Sequence, residues 1–342
     1  MIESHCPSRN RIVVYIGIRF VYNCISASGC FWVGVGMQRK IPQPQDWNIE
    51  RLTIGCSDTN PVEIDNFLYT EPQHFEFDMH YCLELGIVVD GQMDRYYRSV
   101  SRTYTSGEIW LCGMWEPHGW AVRHPPSNVI VFFLYPPLIA RTFFQEAQEL
   151  NWFAPFTAPV EERPIIPEKR RPEILSIATQ VRETHFQSPS LRKVSLRLKI
   201  FELMGIILDC WNKKPAPSWH SPEQYDKIGT AMQLVFESSR FLTASQIAQA
   251  CGLNRNTLSR LFTEYTGMSF AEFALRYRVS SAAEHLRETE DPIKAVAASW
   301  GFSDASHFFR SFVKFYGCSP SDYRKTARAA ERRLLQSKNP VT

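Results

Sequence analysis

The sequence predicts an α+β multidomain chain. A β-rich N-terminal part is followed by connecting helices and then by an all-α part containing two helix-turn-helix units. Three observations predict this. From about residue 60 to 140, short β-branched and aromatic runs alternate with turn signals. Proline-rich stretches then interrupt the chain near 155–172 and 215–222. Beyond residue 243 a helical pattern appears and then repeats itself. At 342 residues there is room for two or three domains, each with its own core.

The N-terminal residues 12–36 are apolar, but Arg19 and Asn23 break the run below the roughly 20 residues a membrane span needs. No membrane partner is expected. The segment lacks helix and turn signals, so residues 1–36 are read as a non-native or disordered extension, with Met37 as the start of the folded chain. Over 37–150 the runs Leu83–Val89, Arg95–Val100, Glu108–Cys112 and Val129–Tyr135 read as strands. Asp90-Gly91, Ser106-Gly107 and Pro125-Pro126 mark turns between them. Strands at this spacing suit a small barrel or jelly roll.

Residues 151–218 read as a linker and two helices. The better marked helix starts with Ser188 as cap and Pro189 at its first position. It carries two apolar stripes, one of Leu191, Val194, Leu198, Phe201 and Leu208, the other of Leu196, Ile200, Leu203, Ile207 and Trp211. A helix apolar on two sides is buried on both. Either one side meets a second subunit, giving a homodimer, or both belong to one core; the first reading is favoured. Pro215, Pro217 and Pro222 then mark a second linker.

From 219 to 330 the helix caps are legible. Thr243 with Gln246 and Ser269 with Glu272 read as capping boxes, and Asp291-Pro292 and Ser319-Pro320 as capped helix starts. Residues 331–342 are left as a tail. Within this region Ile247-Ala248, Gly252-Leu253-Asn254, Leu258-Ser259-Arg260 and Phe262 return as Val296-Ala297, Gly301-Phe302-Ser303, Phe308-Phe309-Arg310 and Phe312. The offset is 49 residues through the glycine turn and 50 from Leu258 and Phe308 onward. Each copy is a short helix, a glycine turn and a second helix, the second being the one that enters the major groove of DNA.

In the first copy Leu258, Leu261 and Phe262 point inward, leaving Arg255, Asn256, Ser259 and Arg260 outward. In the second, Phe308, Phe312 and Phe315 point inward, leaving Ala305, Ser306, Phe309, Arg310 and Lys314. Asn and Arg suit bidentate readout of adenine and guanine. The alternative, a merely solvated helix face, is disfavoured by two copies in register with arginine at the same place. Charge agrees: residues 219–342 carry 16 Lys and Arg against 12 Asp and Glu, while the whole chain is only +3. The nine cysteines are scattered, with no CxxC pair, which implies free thiols in a reducing cytoplasm.

The stretch from Leu242 to Leu286 and from Asp291 to Arg324 resembles the DNA-binding domain of the AraC/XylS family. The second copy carries the most specific part, Gly301-Phe302-Ser303-Asp304, Phe308-Phe309-Arg310, Gly317, Ser319-Pro320 and Tyr323-Arg324. The resemblance implies bacterial regulators, mostly activators, with two helix-turn-helix units joined by a helix and a sensing domain in front. Carried over, its base-contact pattern falls on Asn256, Ser259, Arg260, Ala305, Ser306, Phe309 and Arg310. Ala305 and Phe309 are poor hydrogen-bond donors, so the first unit is expected to set specificity and the second to anchor through shape and phosphates.

The β region resembles a cupin. His80, Glu84 and Gly91, then Gly107 and His118, match the spacing of its two motifs, with Asp78 where a metal cupin has histidine. Asp78, His80, Glu84, Tyr96, Trp110 and His118 are therefore the candidate effector pocket, alongside Tyr97, Trp115 and Trp120. Such aromatic and polar groups suit a sugar or aromatic effector. Regulatory cupins usually bind an organic effector without metal, so no cofactor is expected. Asp78, His80, Glu84 and His118 remain the residues that would hold one. The leading expectation is an effector-controlled transcription regulator acting on promoter DNA and RNA polymerase. The alternative is a metal-dependent cupin enzyme fused to a DNA-binding module.

Overall fold

The computed structural model describes residues 14–15, 20–22, 49–57, 60–98, 100–142, 152–184, 187–212, 222–237, 242–266 and 268–338. Its N-terminal part is β1 (Val14–Tyr15), β2 (Phe20–Tyr22), β3 (Glu50–Arg51), β4 (Thr53–Ile54), β5 (Val62–Tyr69), β6 (Gln73–Met79), β7 (Leu83–Asp90), β8 (Gln92–Tyr97), β9 (Ser101–Thr105), β10 (Ile109–Cys112), β11 (His118–Val122) and β12 (Ser127–Leu134). Two five-stranded sheets result, ordered β10-β7-β12-β5-β2 and β3-β6-β11-β8-β9, with β1 and β4 forming a small parallel pair. Among the described residues the hydrogen bonding does not close into a single barrel. The expected strand over Arg95–Val100 ends early, at Tyr97, where Tyr97 N donates to Val100 O and the chain turns back. Apart from β1 and β2, residues 1–36 lie outside the described residues, so the expected extension is described only at these two strands.

Period-two alternation divides each strand between two environments. Glu84 and Val88 of β7, Trp110 and Cys112 of β10, and Val129, Val131 and Phe133 of β12 face the space between the sheets. Leu83, Leu85, Ile87, Ile109, Leu111, Ile130, Phe132 and Leu134 face the other way, toward helices. Trp110 stands opposite Gly86 in the β10–β7 register, and its ring lies where a Cβ on residue 86 would be. Only glycine admits this contact.

The helices are α1 (Pro136–Thr142), α2 (Ala154–Thr157), α3 (Arg171–Glu183), α4 (Pro189–Asn212), α5 (Pro222–Glu237), α6 (Ala244–Ala250), α7 (Arg255–Thr266), α8 (Phe270–Glu288), α9 (Ile293–Ser299), α10 (Ala305–Tyr316) and α11 (Pro320–Lys338). Pro222 opens α5 at its first position, not in a linker, and Pro215 and Pro217 lie outside the described residues. On α4 the stripe of Leu196, Ile200, Leu203 and Ile207 is buried. Leu191, Val194 and Leu198 are exposed, while Leu208 of the same stripe is buried. The last helix runs on to Lys338, through most of the expected tail.

Capping follows the sequence in part. Thr243 and Gln246 make the full box. Ser269 accepts from Glu272 N, but the Glu272 carboxylate turns to Arg276 at 2.6 Å and the box stays half-formed. Asp291 does not cap α9, whose cap is Pro292, because its carboxylate meets His285 Nε2 at 2.7 Å. Ser319 caps α11 as expected.

One apolar cluster runs from the outer face of the first sheet through α3, α4 and α5 into the first helix-turn-helix, taking in Leu85, Phe132, Ile177, Ile200, Phe236, Phe262 and Phe273. The second helix-turn-helix has a separate core of Val279, Leu286, Val296, Phe302, Phe308, Phe312 and Tyr323. The connecting helix α8 contributes to both. Arg324 and Arg328 of α11 donate to Leu286 O, Asp291 O and Thr289 O around the C-terminal end of α8, where cations satisfy free carbonyls.

Candidate functional site

The two helix-turn-helix units superpose in sequence register. α6 and α9 are both seven residues long, and α7 and α10 both twelve. Each turn pivots on a glycine at positive φ, Gly252 at 64° and Gly301 at 72°. The extra residue of the second copy falls between that glycine and the next cap. Asn254 Oδ1 accepts from Thr257 N at 2.8 Å, and Asp304 accepts from Ser306 N and His307 N. These acceptors fix the first turn of each second helix.

Leu258, Leu261 and Phe262 are buried on α7, as are Phe308 and Phe312 on α10, while Phe315 is half-buried beneath Arg276. On the opposite faces Arg255, Asn256, Ser259 and Arg260, and Ala305, Ser306, Phe309, Arg310 and Lys314, are all exposed. The structure thus brings every base-reading candidate onto the outward side of its helix. Sequence reasoning omitted Thr263 and Val313, which lie one turn further along the same faces and are also exposed.

Between the sheets, the sequence-derived pocket residues gather around Glu84. Its Oε1 accepts from Arg95 Nη2 and Trp110 Nε1, each at 2.6 Å, and its Oε2 lies 3.0 Å from His80 Nε2 and 3.2 Å from His118 Nε2. Asp78 Oδ1 is 3.0 Å from His118 Nε2 without hydrogen-bond alignment, and both atoms are buried. Burial alone would raise the Glu84 carboxyl, but Arg95, His118 and His80 hold its pKa well below the usual range. Burial opposes the charge on His118, yet Cys112, Asp78 and Glu84 around the ring push its pKa well above that of a free imidazole.

Tyr96 is not part of this group. It lies on the outer face of its sheet with Phe75, Phe77 and Ala121, because β8 alternates and Arg95 already occupies the inner side. Arg95 and Cys112 take inner positions instead. Alternation from Met93 to Tyr97 was the available signal for Arg95; a single arginine in a strand otherwise looks solvated. Trp120 packs on Tyr69 between the sheets.

Two overlapping sets of metal-type donors gather here. Asp78, His80 and His118 converge, as do Glu84, Cys112 and His118, with donor atoms within 4.8 Å of one another. Both Glu84 oxygens are nevertheless already engaged, and the Arg95 guanidinium would oppose a dication in the second set. The cluster is an internally compensated ion-pair network.

A turn ties this network to the helical part. His80 Nδ1 donates to Cys82 O, and Trp115 N donates to His80 O at 2.7 Å. Tyr81, between those residues, packs against Trp115 and against Tyr277 of α8. Trp115, held at a φ of 52°, meets Phe273 of α8 edge-on and lies under Arg276. Thus Trp115 is an inter-domain contact, not a pocket wall. Farther along α8, Arg287 Nη2 donates to Gly55 O and pairs with Glu284 at 2.6 Å.

Two sheets in front of a double helix-turn-helix define a DNA-binding module coupled to a second, non-helical domain. A helix-turn-helix domain model matches residues 247–326. The transcriptional activator RhaR of Mannheimia succiniciproducens is 32% identical over 284 residues, covering 78% of this chain and 93% of that protein. The melibiose operon regulatory protein of Escherichia coli K12 is 23% identical over 303 residues, covering 80% and 95%. Four other regulators match over 80 to 94 residues, and the chain spans 12% to 31% of their length. Among solved structures, ToxT from Vibrio cholerae O395 aligns with a TM-score of 0.42 at 16% identity, over 77% of this chain and 97% of that one. The chain belongs to the AraC/XylS family of helix-turn-helix transcriptional regulators.

Proposed function

We propose that this chain is a sequence-specific DNA-binding transcription regulator whose promoter occupancy is set by a small molecule bound between its two sheets. The observation that carries the reading is the matched pair of exposed faces on α7 and α10, each backed by a buried aromatic core and each bearing an arginine at the same step, Arg260 and Arg310. Residues 219–330 form the DNA-binding domain, residues 151–218 the linker and dimerisation helices, and residues 37–150 a cupin-like effector domain.

In the effector domain, Asp78 Oδ1 and His118 Nε2 are buried, 3.0 Å apart and not aligned for a hydrogen bond to each other, which supports polar contacts to a ligand that approaches beside them. A melibiose operon regulator among the relatives supports a sugar. RhaR, named as an activator, supports activation and hence contact with RNA polymerase. The Tyr81 and Trp115 contacts with α8 give an effector a route to the helix that joins both DNA-reading units, provided it favours one docking arrangement by differential affinity. The exposed Leu191, Val194 and Leu198 favour a homodimer through α4. Among the described residues no helix is long and apolar enough to cross a membrane. Promoter DNA as the partner supports a cytoplasmic location.

Replacing Arg260 or Arg310 by alanine is expected to weaken specific binding by about 1–3 kcal/mol each, the range for a base-reading pair. Unchanged affinity in both variants, measured by fluorescence anisotropy on a selected site, overturns the reading.

A further inference from the structure

The second recognition helix differs from the first along one row of its exposed face. Aligned at their caps Asn254 and Asp304, the two helices place Arg255, Ser259 and Thr263 opposite Ala305, Phe309 and Val313. All six side chains are exposed. The row is polar throughout in the first copy and apolar throughout in the second. Core packing does not account for this: Phe308 and Phe312 are 1% and 0% exposed, whereas Phe309 is 49% and Val313 36% exposed. An aromatic and a valine one turn apart are held in water beside Arg310 and Lys314, cations suited to a phosphate-lined groove.

We propose that α10 reads thymines through their C5-methyl groups, with Phe309 as the main contact and Ala305 and Val313 beside it. The inference rests on α10 occupying the major groove. In that groove every base presents hydrogen-bonding edges, and the thymine methyl is the one apolar group. An apolar row therefore gains at thymine and leaves donors or acceptors unpaired at the other bases. Successive members of the row are about 6 Å apart along the helix axis, against about 3.4 Å per base step, so the row spans several consecutive base pairs. The second unit then contributes sequence information of its own, by a different chemistry from the hydrogen-bonding row of the first.

The test uses the full chain. A duplex selected from random sequence supplies the site, and each thymine in it is replaced in turn by deoxyuridine, which removes only the methyl. One or two thymines, all within one half of the site, are expected to lose about fourfold in affinity on replacement, the effect of burying one methyl. Phe309→Ala should lower affinity for the thymine site and abolish that sensitivity, and Val313→Ser should reduce it. Phe309 is half-exposed, so the variant folds; unchanged sensitivity to changes in the other half of the site verifies this. Uridine without effect at every position, or equal sensitivity in the wild type and Phe309→Ala, overturns the proposal. If Arg260→Ala and Arg310→Ala still weaken binding, the DNA reading survives that failure. Loss of transcriptional output in Phe309→Ala at unchanged affinity assigns the row to a protein partner and likewise overturns it. No selectable site at all sinks both readings together.

Discussion

Arg95 Nη2 donates to Glu84 Oε1 at 2.6 Å, joining a strand of one sheet to a strand of the other across a buried interior. The guanidinium also lies over the Trp110 ring, whose Nε1 donates to the same Glu84 oxygen. Arg95 is thus the cation that makes a buried carboxylate tolerable at this point. Removing it leaves Glu84 without its main compensation. Arg95→Ala is expected to destabilise the fold by about 3–5 kcal/mol, the cost of breaking one side of a buried pair. A second change, Glu84→Gln, should recover part of the loss by removing the uncompensated charge. Urea unfolding of the two variants measures both effects, and a double variant no more stable than Arg95→Ala contradicts the argument.

The protonation of Glu284 links stability to pH at the contact between α8 and the sheets. Burial pushes this carboxyl up to about 7; Arg287 opposes the rise, and Glu288 and Glu63 add to it. The folded state therefore binds the proton more tightly than the unfolded chain does. Its stabilising contribution is complete below about pH 4.5 and is lost as pH rises through about 7. Glu284→Gln keeps the uncharged form at every pH. The difference in unfolding free energy between Glu284→Gln and wild type should grow between pH 5 and 8, by an amount on the order of 3 kcal/mol. A difference flat across that range rules out the raised pKa.

The turn glycines carry a smaller but cleaner cost. Gly252 sits at a φ of 64°, and a Cβ placed there meets nothing within 4 Å. Its replacement is thus penalised by backbone conformation alone. Gly252→Ala should destabilise by about 1–2 kcal/mol, and Gly252→Asn by less, since asparagine visits the left-handed region more readily. Thermal unfolding ranks the three proteins, and an alanine variant as stable as wild type disproves the account.

Much of this was legible in the chain, for local reasons. The double helix-turn-helix is written twice, with glycine turns and capping side chains that act within a few residues. Its outward residues follow from a 3.6-residue period once Leu258 and Phe308 are known to be buried. The interior of the sheets was less legible. His80, Glu84 and His118 fit a motif spacing, but Arg95 reaches Glu84 from a strand of the other sheet, and nothing local marks it as a partner. Tyr96 and Tyr97 are both aromatic, so composition does not separate them, and strand alternation puts only Tyr97 between the sheets. The position of Asp291 before proline predicts a cap, but His285, six residues back on α8, holds its carboxylate. The union of the first DNA-reading unit with the sheet domain in one apolar cluster is a property of packing, and the proline-marked linker gave no hint of it.

The exposed side of α4 leads to the last prediction. Leu191, Val194 and Leu198 are 54%, 52% and 61% exposed, at spacings of three and four that form a narrow seam. The seam continues to Gly205, where a Cβ would touch nothing within 4 Å. Charge is distributed unevenly along the same helix: Arg192, Lys193, Arg197 and Lys199 lie in its first half, Glu202 and Asp209 in its second. Two copies packed antiparallel would bring unlike halves together; a parallel pair would oppose like charges. Leu198→Asp places a carboxylate in the middle of the seam and is expected to convert a dimer to a monomer in sedimentation velocity at micromolar concentration. Because Leu198 is largely solvent-exposed within one chain, the far-ultraviolet spectrum should not change. A wild-type monomer, or a Leu198→Asp dimer, removes α4 as the interface.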